Sequence, residues 1–388
     1  MALVLVACSA SDEVYDVVDI EESATPLDFA AYVTRYSRTA ATEREIANVN
    51  ALAQAGGFGV FGYAHGQRHF DDYVSDVTVP AFFVNQQVWD ESQSAQDGHK
   101  GLDVPATGNW MYDPVKYYDN NEGARHSFFA YAPYRKDVDL VFERGKAPQV
   151  RYDISQDVDL LWAAPTKDLA KPGVDSKITF NFSHALTKTT FHVAPFVDKV
   201  HADDAHSTDN RPISFPLPDG TIVKVRSIHL NGTIPSVGLM NTENGKWTAS
   251  KTRQYFNVPG ADGASWTGDG IAFPTYYDVT PSNKLIPTQK VSIEVIYDVI
   301  SKKDGITEHV TRKAVSQETF DLMQGKAYNF YLDLGLNTVK FFATVGDWTP
   351  DDQNVDLPEQ EERTVLIETV LSVILDWQAG VSDEKATW

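Results

Sequence analysis

Residues 177–186 read KITFNFSHAL. Ile178, Phe180 and Phe182 alternate with Thr179, Asn181 and Ser183. In an extended chain successive side chains point to opposite sides, so the first three share one face and the last three the other. A period of two carried by β-branched and aromatic residues predicts a strand with one dry and one wet face. His184 keeps the parity of Phe180 and Phe182, which predicts a core histidine bonded to a backbone carbonyl.

The same period recurs downstream. In KVSIEVIYDVI (290–300), Val291, Ile293, Val295, Tyr297 and Val299 share one face. Lys302-Lys303-Asp304-Gly305 carries the Asp-Gly hairpin signal, and ITEHVTRKAV (306–315) returns. In AYNFYLDLGLNTVKFFATVGDW (327–348), Tyr328, Phe330, Leu332 and Leu334 alternate, then Val339, Phe341, Ala343 and Val345. Such alternation is the mark of antiparallel sandwich sheets. Upstream, FGVFGYA (58–64), VPAFFVNQQVW (79–89), WMYDPVKYY (110–118) and SFFAYAPY (127–134) are short aromatic runs. Turn-rich stretches such as SQSAQDGHKG and DNNEGA separate them, and they too read as strands.

One helix is predicted. Thr42 and Glu45 form a capping box, Ile46, Val49 and Leu52 follow at helical spacing, and Gly56-Gly57 ends the run. The stretch APTKDLAKPGVDSK (164–177), rich in Pro, Lys and Asp, predicts a boundary between domains at 27–165 and 174–348. The 388 residues favour two domains over one.

The net charge of -21 repels a phosphate backbone, so nucleic acid is excluded as a natural partner. One cysteine allows neither an intramolecular disulfide nor a cysteine zinc site. The chain opens MALVLVACSASDE, and Leu5-Val6-Ala7-Cys8 has the form of a bacterial lipobox, whose cysteine carries lipid. Residues 1–8 then read as a signal peptide lacking its basic start, and acidic residues 9–26 as a tether. The competing reading makes Cys8 a small buried residue of a first strand.

His201-Ala-Asp-Asp-Ala-His206 has the look of a metal site but reads better as a solvated loop. Gly268-Asp269-Gly270 lacks the spacing of a calcium loop. No nucleophile elbow, phosphate loop, zinc-protease helix motif or dinucleotide fingerprint occurs. No metal, cofactor or catalytic residue is expected.

LLWAAPTKDLAKPGVDSKITFNFSHALTKTTFHV resembles the central signature of the fimbrillin family, through Phe182, His184, Ala185, Leu186, Lys188, Phe191 and Val193. GFGVFGY and SFFAYAPY are similar to its N-terminal strands, and GKAYNFYLDLGLNTVKFFATVGDW to its C-terminal pattern. The likeness runs from about residue 27 to Trp348. It implies an all-β protein of two tandem transthyretin-like antiparallel sandwich domains. It also implies a lipoprotein of the outer membrane and cell surface that becomes a type V pilus subunit.

Under that resemblance an arginine-specific protease removes the first strand and opens a groove. Arg35, Arg38 and Arg44 are candidates; Arg44 falls inside the predicted helix, and Arg38, between Ser37 and Thr39 in a more extended stretch, is preferred over Arg35. The competing reading is three solvated charges. After the acidic stretch TPDDQNVDLPEQEER, residues 364–377 (TVLIETVLSVILDW) are strongly apolar, and helix and strand both remain open for them. As a strand, Val365, Ile367, Val370, Val373 and Leu375 are candidates to fill a neighbouring subunit's groove. The expected partners are other pilin subunits and an unidentified host or bacterial surface ligand. A lipid-anchored surface protein that binds glycans without polymerising is the alternative, and a hydrolase a third.

Overall fold

The structure, a computed structural model, describes residues 25–33, 45–93, 105–171, 176–196, 217, 220–268, 276–303, 305–335, 338–348, 365–371 and 373–382. It is all-β with two short helices. The described chain begins with β1 (Phe29–Val33), and α1 (Val49–Gln54) leads into β2 (Phe58–Gly66). Then come α2 (Phe70–Val74), β3 (Phe83–Asp90), β4 (Trp110–Met111), β5 (Arg125–Ala132), β6 (Leu140–Val141), β7 (Gln149–Asp153), β8 (Leu161–Ala170) and β9 (Ile178–His184).

Seven of these strands close a barrel in the order β1-β4-β3-β2-β5-β8-β9. The stretch 177–186 supplies the closure. β9 runs parallel to β1 in five consecutive pairs, from Phe29 opposite Ile178 to Val33 opposite Phe182. Ile178, Phe180 and Phe182 are buried inside with Phe29, Phe58 and Phe128, while Thr179, Asn181 and Ser183 are exposed. The period of two thus becomes an inner and an outer barrel face.

The rest of the chain builds two further sheets. Its strands are β10 (Thr187–Phe196), β11 (Ile222–Asn241), β12 (Trp247–Asn257), β13 (Ser265–Thr267), β14 (Tyr277–Leu285) and β15 (Thr288–Lys303). They continue with β16 (Ile306–Val315), β17 (Phe320–Leu322), β18 (Lys326–Gly335), β19 (Thr338–Asp347), β20 (Val365–Leu371) and β21 (Val373–Ser382). A five-stranded sheet has the order β14-β10-β18-β19-β20. A nine-stranded sheet follows the path β21-β16-β15-β11-β7-β6, with β12, β13 and β17 attached beside it. Val291, Ile293, Val295 and Tyr297 share one core with Phe330, Leu332, Leu334 and Phe341. The expected hairpin is formed, with Lys303 opposite Ile306.

Three expectations are corrected. The stretch 164–177 is not a boundary: residues 161–170 form β8, and β8 and β9 pair within the barrel, Leu161 opposite His184. The chain passes to the second unit at Ala185 and Leu186, between β9 and β10. β7, placed by the sequence in the first domain, pairs with β11 of the nine-stranded sheet. Tyr63, Phe129 and Tyr131 of the barrel accordingly share a core with Tyr152, Leu230 and Met240.

The helix also starts later than predicted. Asn48, in extended conformation, is its N-cap, and the Asn48 side chain accepts from Ala51 N at 2.9 Å. Glu45 lies outside the helix and is buried against Lys188, so it is engaged elsewhere and makes no capping box. Thr42 lies outside the described residues.

In the tail, the strand reading holds for residues 365–371 and 373–382. β20 pairs antiparallel with β19, and β21 antiparallel with β16, so the tail borders both sheets.

Candidate functional site: the first-strand seam and the signature junction

Two neighbouring regions carry the sequence's predicted features. The first is the seam that β1 fills. On one side β1 has five parallel pairs with β9; on the other it meets β4 at one pair, Phe29 opposite Trp110. Its inward residues are Phe29, Ala31 and Val33, at most 4% exposed. The Phe29 ring lies 5.3 Å from that of Tyr112 and 6.1–6.4 Å from those of Phe58, Phe83, Phe128 and Phe180. Full burial of such side chains contributes roughly 1.5–3 kcal/mol each. β1 is thus apolar packing held by few ladder bonds on its β4 side. Removing it would leave a groove with an aromatic floor.

The second region is the junction at the end of β9. His184 is packed, as its parity predicts, but its partner differs from the prediction. Its Nδ1 donates to Asp159 Oδ1 at 2.8 Å, and its ring stacks on Trp348 at 4.0 Å and 7°. A buried carboxylate must be paired, and the imidazole does this where a carbonyl could not. The other Asp159 oxygen accepts the Ile46 N–H at 2.8 Å. Ala185 N donates to Leu160 O at 2.8 Å, and Ala185 O accepts from Trp247 Nε1 at 2.8 Å. Leu186 O accepts from Gly325 N, and Gly325 O accepts from Trp348 N.

Lys188 is the one lysine among the signature residues named above. Its Nζ lies 2.9 Å from Glu45 Oε1, with both side chains at most 5% exposed. That oxygen sits off the hydrogen-bond axis, so the contact is an ion pair rather than an aligned bond. Lys284 stands directly opposite Lys188 on β14, and its Nζ bonds Asp157 Oδ1 at 3.0 Å. Carboxylates of Glu45, Asp157 and Asp159 therefore meet Lys188, Lys284 and His184 between the two units. Sequence reasoning found His184 and Lys188, gave Glu45 a different role in a capping box, and missed Asp157 and Asp159.

One grouping in the barrel has the residue types of a catalytic relay. His65 Nε2 lies 3.0 Å from Ser127 Oγ, and Asp168 is nearby. A relay would need the carboxylate at Nδ1, but Nδ1 bonds Arg68 O at 2.6 Å. Asp168 instead accepts from Phe70 N at 2.7 Å, and its own N–H donates to Ser127 Oγ. Burial pushes the His65 pKa down. The arrangement ties β2, β5 and β8 together. Among the described residues no group of His, Cys, Asp and Glu could hold a metal ion.

Of the remaining predicted residues, Cys8, Arg35, Arg38 and Arg44 lie outside the described residues, as do residues 201–206. Val365, Ile367 and Val370 lie on β20, opposite Ala343, Phe341 and Val339. Val373 and Leu375 lie on β21, with Val373 opposite Lys313.

A family model described as fimbrillin-like matches residues 47–348, from before α1 through the Trp348 stack. The chain belongs to the fimbrillin-like family. No curated protein matches it. Among solved structures, this fimbrillin-like chain is similar to a fimbrial protein from Bacteroides vulgatus ATCC 8482 (TM-score 0.52, 15% identity, covering 84% of this chain and 99% of that one). A fimbrial assembly protein from Parabacteroides distasonis ATCC 8503 aligns at TM-score 0.34 and 9% identity, over 84% and 99% of the two chains.

Proposed function

We propose that this fimbrillin-like chain is a structural subunit of a type V pilus, with its barrel and paired sheets as the tandem sandwich domains of that family. In this reading it is exported as a lipoprotein through Cys8, held at the outer membrane, and trimmed after an arginine that follows β1. Subunits then join by strand exchange into an adhesive surface fibre. No catalysis, metal or cofactor is part of the proposal.

The observation that supports it best is the build of β1. This strand is N-terminal, apolar on its inner face, and lightly bonded to β4, and Arg35 and Arg38 follow it in the sequence. Arg44 is the poorer candidate, for a reason other than the predicted helix. The two residues after it, Glu45 and Ile46, are buried and fastened to Lys188 and Asp159. A protease must bind residues on both sides of the cut bond, and these two are withheld.

The test is the mass of the mature N-terminus on cells, with negative-stain microscopy of their surface. A chain beginning after Arg35 or Arg38, in fibres, is the expected result. Arg38→Ala should leave the lipidated, unpolymerised form if that bond is the one cut. Continued polymerisation of a variant with Arg35, Arg38 and Arg44 all changed to Ala would reject the processing step. A surface form that keeps its lipid and makes no fibres would instead identify a lipid-anchored binding protein.

A further inference from the structure

The chain is acidic, but its charge is unevenly placed. Residues 220–316 carry 11 Lys and Arg against 8 Asp and Glu, in a chain with 33 against 54. Several of these bases fall in one row on the nine-stranded sheet. On β11, Val223, Val225, Ile228 and Leu230 are buried in the core, and a register shift between Val225 and Ser227 resets the alternation. Lys224, Arg226, His229 and Asn231 are thereby turned to the outer face. Tyr255 of β12 lies opposite Asn231, and its ring is 5.2 Å from that of His229. Arg253 and Lys251 follow at alternate positions, opposite Ile234 and Val237, so the row continues in the direction of β11. Asp153 of β7, also opposite Val237, feels both of these charges, which places them on its side of the sheet.

The acids of β15 on this face are already engaged. Glu294 pairs with Lys313 at 2.7 Å and accepts from Asn231 Nδ2 at 3.1 Å. Asp298 accepts from Arg226 Nε and from Thr311 Oγ1, both at 2.8 Å. Lys224, Lys251 and Arg253 are exposed and enter no ion pair among the described residues. Tyr255 is 55% exposed. Charges along β12, whose one ladder partner among the described residues is β11, serve to keep an edge strand from pairing with a stranger. That need accounts for Lys251 and Arg253. It accounts neither for the continuation of the row onto β11, which is paired on both sides, nor for an exposed tyrosine in its middle.

We propose that the row Lys224, Arg226, His229, Tyr255, Arg253 and Lys251 is a docking surface for a linear polysaccharide bearing carboxylate or sulfate groups. This rests on the adhesion part of the reading above and supplies its ligand class, while being independent of how subunits join. From Lys224 to Lys251 the row is on the order of 40 Å long, so an extended chain lying on it meets cations toward both ends and Tyr255 between them. The face of an aromatic ring is electron-rich, and the C–H side of a sugar ring stacks on it. An acidic peptide would use the cations but has no such side to lay on the ring. A DNA duplex carries a charge every 1.7 Å or so and meets the full repulsion of the acidic chain, whereas a polysaccharide charged more sparsely meets less of it.

The test is calorimetry and affinity electrophoresis of the purified full chain with three probes. Hyaluronan carries carboxylates alone, dextran sulfate carries sulfates alone, and dextran is neutral. The chain should bind hyaluronan or dextran sulfate but not dextran, and the tighter of the two identifies the anionic group. Binding should weaken at least about tenfold between about 0.05 M and about 0.5 M salt. Lys224→Gln, and Lys251→Gln with Arg253→Gln, should each lose about fivefold in affinity per cation removed. Tyr255→Ala should lose up to about tenfold while keeping the salt dependence. Lys136→Gln with Lys146→Gln removes the same charge from exposed positions of the first unit and should leave binding unchanged. Binding of neither anionic probe, equal binding of dextran, an equal loss in the Lys136 and Lys146 variant, or tighter binding of a short DNA duplex would each overturn the proposal. Such a failure leaves the pilus reading in place, since that is read from fibres on cells. A lack of fibres would in turn leave polysaccharide binding by the purified chain standing.

Discussion

The buried pair Glu45–Lys188 gives the sharpest stability prediction. The two side chains are 4% and 5% exposed and 2.9 Å apart. Lys188→Met keeps the length and apolar stem of the lysine but leaves the Glu45 carboxylate buried without its counter-charge. Breaking a buried pair from one side costs about 3–5 kcal/mol, mostly the desolvation of the orphaned charge. Replacing both partners, as Glu45→Leu with Lys188→Met, removes that desolvation and should lie within about 1 kcal/mol of the parent or above it. With a urea slope of about 3 kcal/mol/M, the single variant moves the midpoint down by about 1–1.7 M and the double variant recovers it. Urea titration followed by tryptophan fluorescence reads both. A single variant within about 0.5 kcal/mol of the parent, or a double variant as unstable as the single, would refute the buried-charge explanation.

Other expectations follow from neighbouring residues. Phe29→Ala removes a ring packed among five others and should cost about 3–5 kcal/mol, with faster hydrogen exchange in β9. Asn48→Ala removes the α1 cap and should cost about 1 kcal/mol by denaturant titration. His126 is 1% exposed, and neither ring nitrogen has a hydrogen-bond partner among the described residues. Burial pushes its pKa below 6.5, against the opposing pull of Asp119, and His65 adds to the lowering. The unfolded chain therefore takes up this proton at a higher pH than the folded one. The stability involved is whole above about pH 6.5 and is lost as pH falls through that value. His126→Phe should flatten the decline in melting temperature below about pH 6.5, while His65, also lowered by burial, keeps part of it.

What the sequence disclosed was local. Ile178, Phe180 and Phe182, and Val291 to Val299, announced strands because each has one dry and one wet side. The misplaced boundary has a physical cause. β8 is buried at Leu161 and Ala163 but half-exposed from Pro165 onward, so Thr166, Lys167 and Asp168 look like linker chemistry while β8 pairs with β5. Asp168 also adopts φ 56°, a turn-like conformation inside a strand. The helix start was misread because Glu45 answers to Lys188, far along the chain. Asp159, which holds both Ile46 and His184, carries no local pattern at all. The membership of β7 in the second unit's sheet is likewise a long-range pairing that no window of sequence contains. For the seam, FAAYV was not picked out as a strand, and its partner strand and aromatic floor lie far along the chain.

In the proposed fibre the first strand of each subunit is replaced by the tail of another. A helical reconstruction of fibres purified from cells, at a resolution that traces side chains, tests this most directly. The expected map connects the strand between β4 and β9 to the neighbouring subunit through residues after Trp348, and each subunit's own residues 29–33 are absent from it. Density in that seam continuous with the subunit's own Glu45 through residues 34–44 would contradict strand replacement.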